Sequence, residues 1–147
     1  MEVYLRRAQR KDAELLFEWA NEVAVRKNSF STKQISWEEH KVWYDRILSS
    51  KDDVQYIYMC DGKEIGQVRL TLEEDTAEIG YSISADNRSM GHGKRMLSLV
   101  YNKIKEEFPQ IKRIIAKVKS ENTASQKVFE AIGYIEKYRE YEIEVNG

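Results

Sequence analysis

The sequence predicts an α/β (α+β) fold with a mostly antiparallel sheet and the element order β-α-α-β-β-β-α-β-α-β. Three observations lead there. Short runs with apolar residues at every second position alternate with longer runs at helical spacing. Two tight turns, Asp61-Gly62 and Glu74-Asp75, join three consecutive strand-like runs into a meander. The chain has 147 residues, 41% hydrophobic and 33% charged, which suits one soluble domain around one core.

The elements follow in order. Val3 to Arg7 reads as a first strand. Asp12 is placed to cap a helix bearing Leu15, Leu16, Trp19, Ala20 and Val23 on one face. Asn21 to Gln34 is polar and irregular and reads as a long loop. Ser36-Trp37-Glu38-Glu39 has the form of a capping box and opens a helix with Trp37, Tyr44, Ile47 and Leu48 on its apolar side. Val54 to Cys60 and Glu64 to Leu72 form a hairpin. If the next turn pairs Glu73 with Thr76, then Leu72 faces Ala77, Leu70 faces Ile79 and Val68 faces Tyr81. Gln67, Arg69, Thr71, Glu78, Gly80 and Ser82 then share the opposite, polar face. A helix follows as far as Phe108-Pro109, then a strand over residues 111–119, and a helix from Asn122 to Ile132 ended by Gly133. Tyr134 to Val145 reads as closing extended structure, with Tyr141, Ile143 and Val145 alternating.

The stretch Asn87-Arg88-Ser89-Met90-Gly91-His92-Gly93-Lys94-Arg95 lies between a strand and a helix. N–H groups at a helix entrance have no intrahelical acceptor, and the dipole adds partial positive charge. Glycine permits positive φ and close backbone approach. With Arg88, Lys94 and Arg95 nearby, the stretch suits a pyrophosphate. A glycine pair before a helix is also often a plain turn. A dinucleotide fingerprint is excluded, because Met96 stands where its third small residue belongs, and so is the phosphate loop Gly-x-x-x-x-Gly-Lys-Ser/Thr.

Net charge is −1 with no basic block, which argues against nucleic acid. The single cysteine, Cys60, lies in a strand-like run as a buried thiol. His40 and His92 are the only imidazoles, and their spacing suggests no metal. No apolar run approaches a membrane span, and the N-terminus lacks the apolar core of a signal peptide. The expectation is a cytoplasmic enzyme or binding domain, with no membrane partner, as a monomer or homodimer.

The pattern Arg88-x-x-Gly91-x-Gly93 resembles the acetyl-CoA loop of the GNAT N-acetyltransferase superfamily. So does Asn122-x-x-Ser125-x-x-x-Phe129-x-x-x-Gly133-Tyr134 about thirty residues later. The resemblance spans nearly the whole chain. It implies the GNAT fold, with the sheet splayed between the fourth and fifth strands and helices on both faces. It also implies acetyl-CoA as co-substrate. Residues 88 to 94, among them Arg88, Met90, Gly91, His92, Gly93 and Lys94, would wrap the pyrophosphate. Backbone groups near Ile83, Ser84 and Ala85 would bond the pantetheine. Asn122, Ser125 and Phe129 are carried over as coenzyme contacts, although Phe129 is also simply read as core. Many relatives place a tyrosine at the Phe129 position as general acid, and phenylalanine has no proton to give.

Acetylating an amine requires loss of a proton from the ammonium, which a carboxylate accepts directly or through water. Glu78, at the start of the central strand on the polar face, is the candidate base. The acceptor should lie over the first two helices. There the pattern of Trp19, Asn21, Val25-Arg26, Ser29, Ile35-Ser36-Trp37, His40 and Trp43 resembles sugar-nucleotide N-acetyltransferases of pseudaminic-acid-type nonulosonate pathways. That resemblance implies the 4-amino group of a UDP-linked sugar, with Arg26, His40, Trp43 and Arg69 as acceptor contacts. Packing as helix core explains Trp19 and Trp37 equally well, and capping or packing explains His40. Acceptors of another kind, such as a protein N-terminus, and a non-catalytic acetyl-CoA sensor stay open.

Overall fold

The structure, a computed structural model, describes residues 1–146. Its strands are β1 (Val3–Arg7), β2 (Asp53–Cys60), β3 (Lys63–Glu73), β4 (Thr76–Ile83) and β5 (Arg113–Ala116). Its α-helices are α1 (Ala13–Ala20), α2 (Val23–Asn28), α3 (Trp37–Ser49), α4 (His92–Glu107) and α5 (Thr123–Ala131). The strands form one sheet in the order β1-β2-β3-β4-β5, antiparallel except for the parallel pair β4–β5.

Turn chemistry sets the register. Asp61 and Gly62 both have positive φ, at 50° and 82°, the twist that a two-residue hairpin loop needs. Glu74-Asp75 closes the next hairpin, so Glu73 pairs with Thr76, Leu70 with Ile79 and Val68 with Tyr81, as the sequence implies. One face of the sheet packs Val54, Tyr56, Tyr58, Val68, Leu70, Ala77 and Ile79 against Met96, Leu97, Val100 and Ile104 of α4 and Phe129 of α5. Burying each such side chain contributes about 1.5–3 kcal/mol. On the other face, Ile57 and Met59 of β2 lie under Leu16 of α1 and Tyr44 of α3. Helices therefore cover that face only over β1 and β2. The polar half, on β3 and β4, stays open.

Several expectations change. The run read as a loop from Asn21 to Gln34 contains α2, capped by Glu22, whose Oε2 accepts the Val25 N–H at 3.2 Å. Six residues are too few to show a period. Val23 opens this helix at 80% exposure and does not extend the α1 face. Asp12 stands at the α1 entrance without capping it. Its carboxylate instead takes two bonds from Arg6, at 2.8 and 2.9 Å, and the Gln9 N–H at 2.7 Å. Burial pushes this carboxyl up, but those bonds outweigh it and hold it below its usual range. Ser36 does cap α3, accepting the Glu39 N–H at 3.1 Å. β5 covers only Arg113–Ala116 of the expected 111–119. The closing strand over Tyr134 to Val145 does not form among the described residues: Tyr141, Ile143 and Val145 are 83%, 88% and 84% exposed. Alternation alone offers a strand a face but no hydrogen-bonding neighbour.

Both histidines are buried. His40 Nε2 lies 2.9 Å from the Ala13 carbonyl, so that nitrogen carries the proton, and its ring stacks on Tyr44 beside Phe17, Trp37 and Trp43. His92 Nδ1 meets the Tyr58 hydroxyl at 2.8 Å. Burial lowers the pKa of both, outweighing the Ala13 bond at His40 and joined at His92 by the Arg95 charge. In the unfolded chain each imidazole gains a proton as pH falls through about 6.5, whereas the folded chain resists it. The unfolded state then binds more protons, so their stabilising effect is present above that pH and is lost below it. Thermal melts followed by circular dichroism should show a Tm that is level above about pH 7 and falls as pH drops below about 6.5. A Tm that rises as pH is lowered from about 7 to below about 6.5 would contradict this account.

Candidate functional site: a cleft at a parted sheet

β4 and β5 pair from Thr76↔Arg113 to Ile79↔Ala116, and no further. β4 continues to Ile83 while β5 stops, so the strands part. Hydrogen bonding alternates along an antiparallel strand. Thr76 faces β3, and the Ser84 N–H bonds the Ile65 carbonyl at 2.8 Å. By alternation the backbone groups of Tyr81 and Ile83 point into the gap. Ser84, expected among the pantetheine contacts, directs its N–H away from it, and its carbonyl accepts the Asn87 N–H. Alternation revises that expectation and adds Tyr81, which the sequence reading placed only in the apolar face.

The gap opens into a cleft of about 1370 Å³. All the anticipated site residues except Ser84, Ala85 and Met90 line it. Its floor is the open polar face. There the Gln55 amide donates to Gln67 Oε1 at 2.8 Å, and the Gln67 amide donates to Ser82 Oγ at 3.1 Å. The Arg69 guanidinium lies over the Trp43 ring, 5.0 Å from its centroid. Burial lowers the Arg69 pKa, opposed by the charges of Asp53 and Glu78. Glu78 is half exposed, with the Lys117 ammonium 3.2 Å from its Oε1.

At the far end stands the α4 entrance. Gly91 is its N-cap, with φ at 82°. The N–H groups of the first turn, at His92, Gly93 and Lys94, have no acceptor within the helix. Lys94 is exposed beside them. Met90 is exposed and its carbonyl accepts from Arg95 at 2.8 Å. The His92 ring is turned into the core, so that residue offers only its backbone. At Gly93 an added Cβ would meet the Val128 methyls at 3.5 and 3.6 Å, an ordinary contact. Asn122 caps α5, its Oδ1 accepting the Ser125 N–H at 3.3 Å. Phe129 is buried, edge-on to Tyr81.

Two arginines are engaged elsewhere. Arg26 donates to the carbonyls of Ala20, Ser31 and Lys33 and to Ser29 Oγ, at 2.6 to 3.3 Å. Those bonds satisfy an irregular loop and leave almost no donor for a phosphate. Arg88 forks onto Glu22, at 2.8 and 3.3 Å, and donates to the Ile83 carbonyl at 3.0 Å. It ties the α2 cap to the end of β4. His40 is likewise committed to the Ala13 carbonyl and to its aromatic neighbours. Charge in these segments is visible in sequence; its partners, far along the chain, are not.

The fold matches a domain from Methanocaldococcus jannaschii with a TM-score of 0.83 at 26% identity, over 96% of this chain and 93% of that one. It matches spermidine N-acetyltransferase from Vibrio cholerae, in complex with CoA and spermine, with a TM-score of 0.85 at 18% identity, over 99% and 88%. It also matches aminoglycoside acetyltransferase AAC(6')-Ib, in complex with coenzyme A, with a TM-score of 0.81 at 16% identity, over 92% and 86%. No curated protein matches the chain. The family description "Acetyltransferase (GNAT) domain" matches residues 2–135, nearly the whole length and every element of the sheet. With its parted strands and αL glycine at the helix entrance, the chain belongs to the GNAT acetyltransferase family and is an acetyl-CoA-dependent N-acetyltransferase.

Proposed function

We propose that the chain moves acetyl from acetyl-CoA to the primary amine of a small, anionic acceptor, with a UDP-linked 4-amino sugar as the best match. The parting of β4 and β5 above the α4 entrance carries the first half of this reading. A pyrophosphate fits the free N–H groups of the first turn, with Lys94 beside them. The pantetheine fits the gap, where Tyr81 offers its backbone groups, Ile83 its N–H, and Asn122 and Ser125 their side chains, the Ile83 carbonyl being held by Arg88. A backbone N–H on the gap side of β4 is placed to stabilise the tetrahedral oxyanion.

Arg69 supports the acceptor class. Its guanidinium forms no ion pair or hydrogen bond among the described residues and rests on an indole at the cleft floor. A free, partly desolvated guanidinium attracts carboxylate or phosphate and repels a polycation. Lys117 adds to this by offsetting Glu78. Polyamines and aminoglycosides, named for two structural neighbours, are therefore poor matches here. Trp43 offers a flat face to a sugar or uracil.

In the reaction Glu78 accepts the ammonium proton, through water or once Lys117 moves aside. The free amine attacks the thioester carbonyl, the oxyanion forms, and coenzyme A leaves.

Three measurements test this reading. Gly91→Val should lower acetyl-CoA affinity at least tenfold by calorimetry, about 1.4 kcal/mol, because a β-branched residue resists positive φ. Unchanged affinity in a folded variant would remove the loop from the coenzyme site. A UDP-linked 4-amino sugar should be acetylated at least ~100-fold more efficiently than spermidine or a peptide amine, a gap of ~2.7 kcal/mol. Arg69→Ala should narrow that gap chiefly through KM. A competition assay won by the polyamine or the peptide would overturn the acceptor assignment and leave acetyl transfer standing. Glu78→Gln should keep both ligands bound and lower kcat by roughly 10²–10⁴ near neutral pH. The deficit should shrink as pH approaches the amine's own pKa. Full activity at neutral pH would eliminate Glu78 as the base.

A further inference from the structure

Departure of coenzyme A leaves a thiolate that must gain a proton. Phe129 has none to give. Among the described residues two tyrosines line the cleft, Tyr81 and Tyr138, and Tyr138 is 71% exposed on the unpaired C-terminal segment. Tyr81 is placed differently. It stands two residues beyond Ile79, the last β4 residue paired with β5, so it flanks the open part of the gap. Its ring is edge-on to Phe129, with centroids 5.6 Å apart, and its hydroxyl lies 3.0 Å from Ser125 Oγ on the first turn of α5. Ser125 itself lines the cleft.

We propose that Tyr81 is the proton source for the leaving group and that Ser125 Oγ relays the proton to the coenzyme A sulfur. The inference rests on the acetyl-transfer reading above and adds to it the missing acid. The amine nitrogen bonds to the thioester carbon, and the tetrahedral intermediate collapses. The C–S bond breaks and its electron pair goes to sulfur. Ser125 gives its hydroxyl proton to sulfur and takes the phenolic proton of Tyr81. The resulting phenolate is neutralised by the proton that the nitrogen loses, carried by water in the cleft. The net products are amide and thiol, and the phenol is restored.

The surroundings suit the role. Burial raises the Tyr81 pKa, opposed by the Ser125 bond, so the phenol holds its proton through the neutral range. Gly93, Ser125 and Phe129 lie against the ring from α4 and α5, and none of them carries charge. The phenol and Ser125 therefore form an uncharged pair whose direction of donation follows the charge that appears on sulfur.

Tyr81→Phe keeps the ring and removes the proton. With acetyl-CoA and the best amine found for the wild type, kcat should fall about 100-fold near neutral pH. Acetyl-CoA affinity by calorimetry should stay within about twofold. Ser125→Ala should lower kcat about tenfold, because water replaces a relay better than it replaces a donor. The wild-type kcat should stay level up to about pH 10 and fall above it, and that fall should vanish in Tyr81→Phe. A kcat within about threefold of wild type, or a loss seated in coenzyme affinity instead of kcat, would overturn the proposal. Wild-type turnover in the same assay is the reference. Inactivity of the wild type with every amine counts against acetyl transfer, while an active Tyr81→Phe counts against the phenol alone.

Discussion

Everything at this site depends on two parallel strands ceasing to pair. Once β4 runs past Ile79 without β5, its backbone N–H and C=O groups on that side need other partners. A buried edge of this kind costs free energy unless something polar occupies it. The molecule leaves the edge facing a cleft, where a ligand with amide groups can complete it as a strand would. The α4 entrance supplies the second unpaired set of N–H groups at the end of the same gap. On the proposed reading the coenzyme is held by main-chain groups, and the side chains along the loop make other contacts. Arg88 ties down α2, Arg95 wraps the Met90 carbonyl, and His92 enters the core.

That division of labour explains how much of the site the sequence conveys. The two glycines and the register of the β3–β4 hairpin were readable, because each is a local consequence of turn geometry or period. The polar floor followed from the same register, since a two-residue turn determines which side chains share a face. Arg26, Arg88 and His40 were readable only as charged or polar residues in the right region. Their partners are backbone carbonyls and a glutamate brought near by the fold, and nothing local announces them. Tyr81 shows the opposite case: its register was right, but apolar neighbours hid a hydroxyl that reaches Ser125, 44 positions away.

The same logic covers the elements that were missed. α2 is one and a half turns held by Glu22, and Glu22 is held by Arg88 across 66 positions. A helix this short is not stable by propensity, so its sequence carries little sign of it. The C-terminal run errs the other way. Tyr141, Ile143 and Val145 have strand-forming character, yet a strand exists only where an edge accepts it. Local preference and tertiary partnership are separate requirements, and that segment meets only the first.

Charge on the cleft floor carries the argument to the acceptor. Glu78 and Arg69 share the polar face of adjacent strands, and Lys117 reaches Glu78 from beyond β5. With the Glu78–Lys117 pair near neutral, Arg69 is the charge on the strand floor beside it. An acceptor that is wholly cationic must displace or outbid that guanidinium before its nitrogen reaches the thioester. The acceptor proposed above, with an anionic arm and one amine, would be drawn in by Arg69, and its ammonium end would then compete with Lys117 for Glu78. Displacement of Lys117 would unite the two requirements of the reaction. It would free the carboxylate to take a proton at the moment the amine arrives, and the cation lost from Glu78 would be replaced by the cation that must be deprotonated. On the proposed reading Arg69 and Lys117 thus divide the work, the guanidinium selecting the acceptor and the ammonium guarding the base.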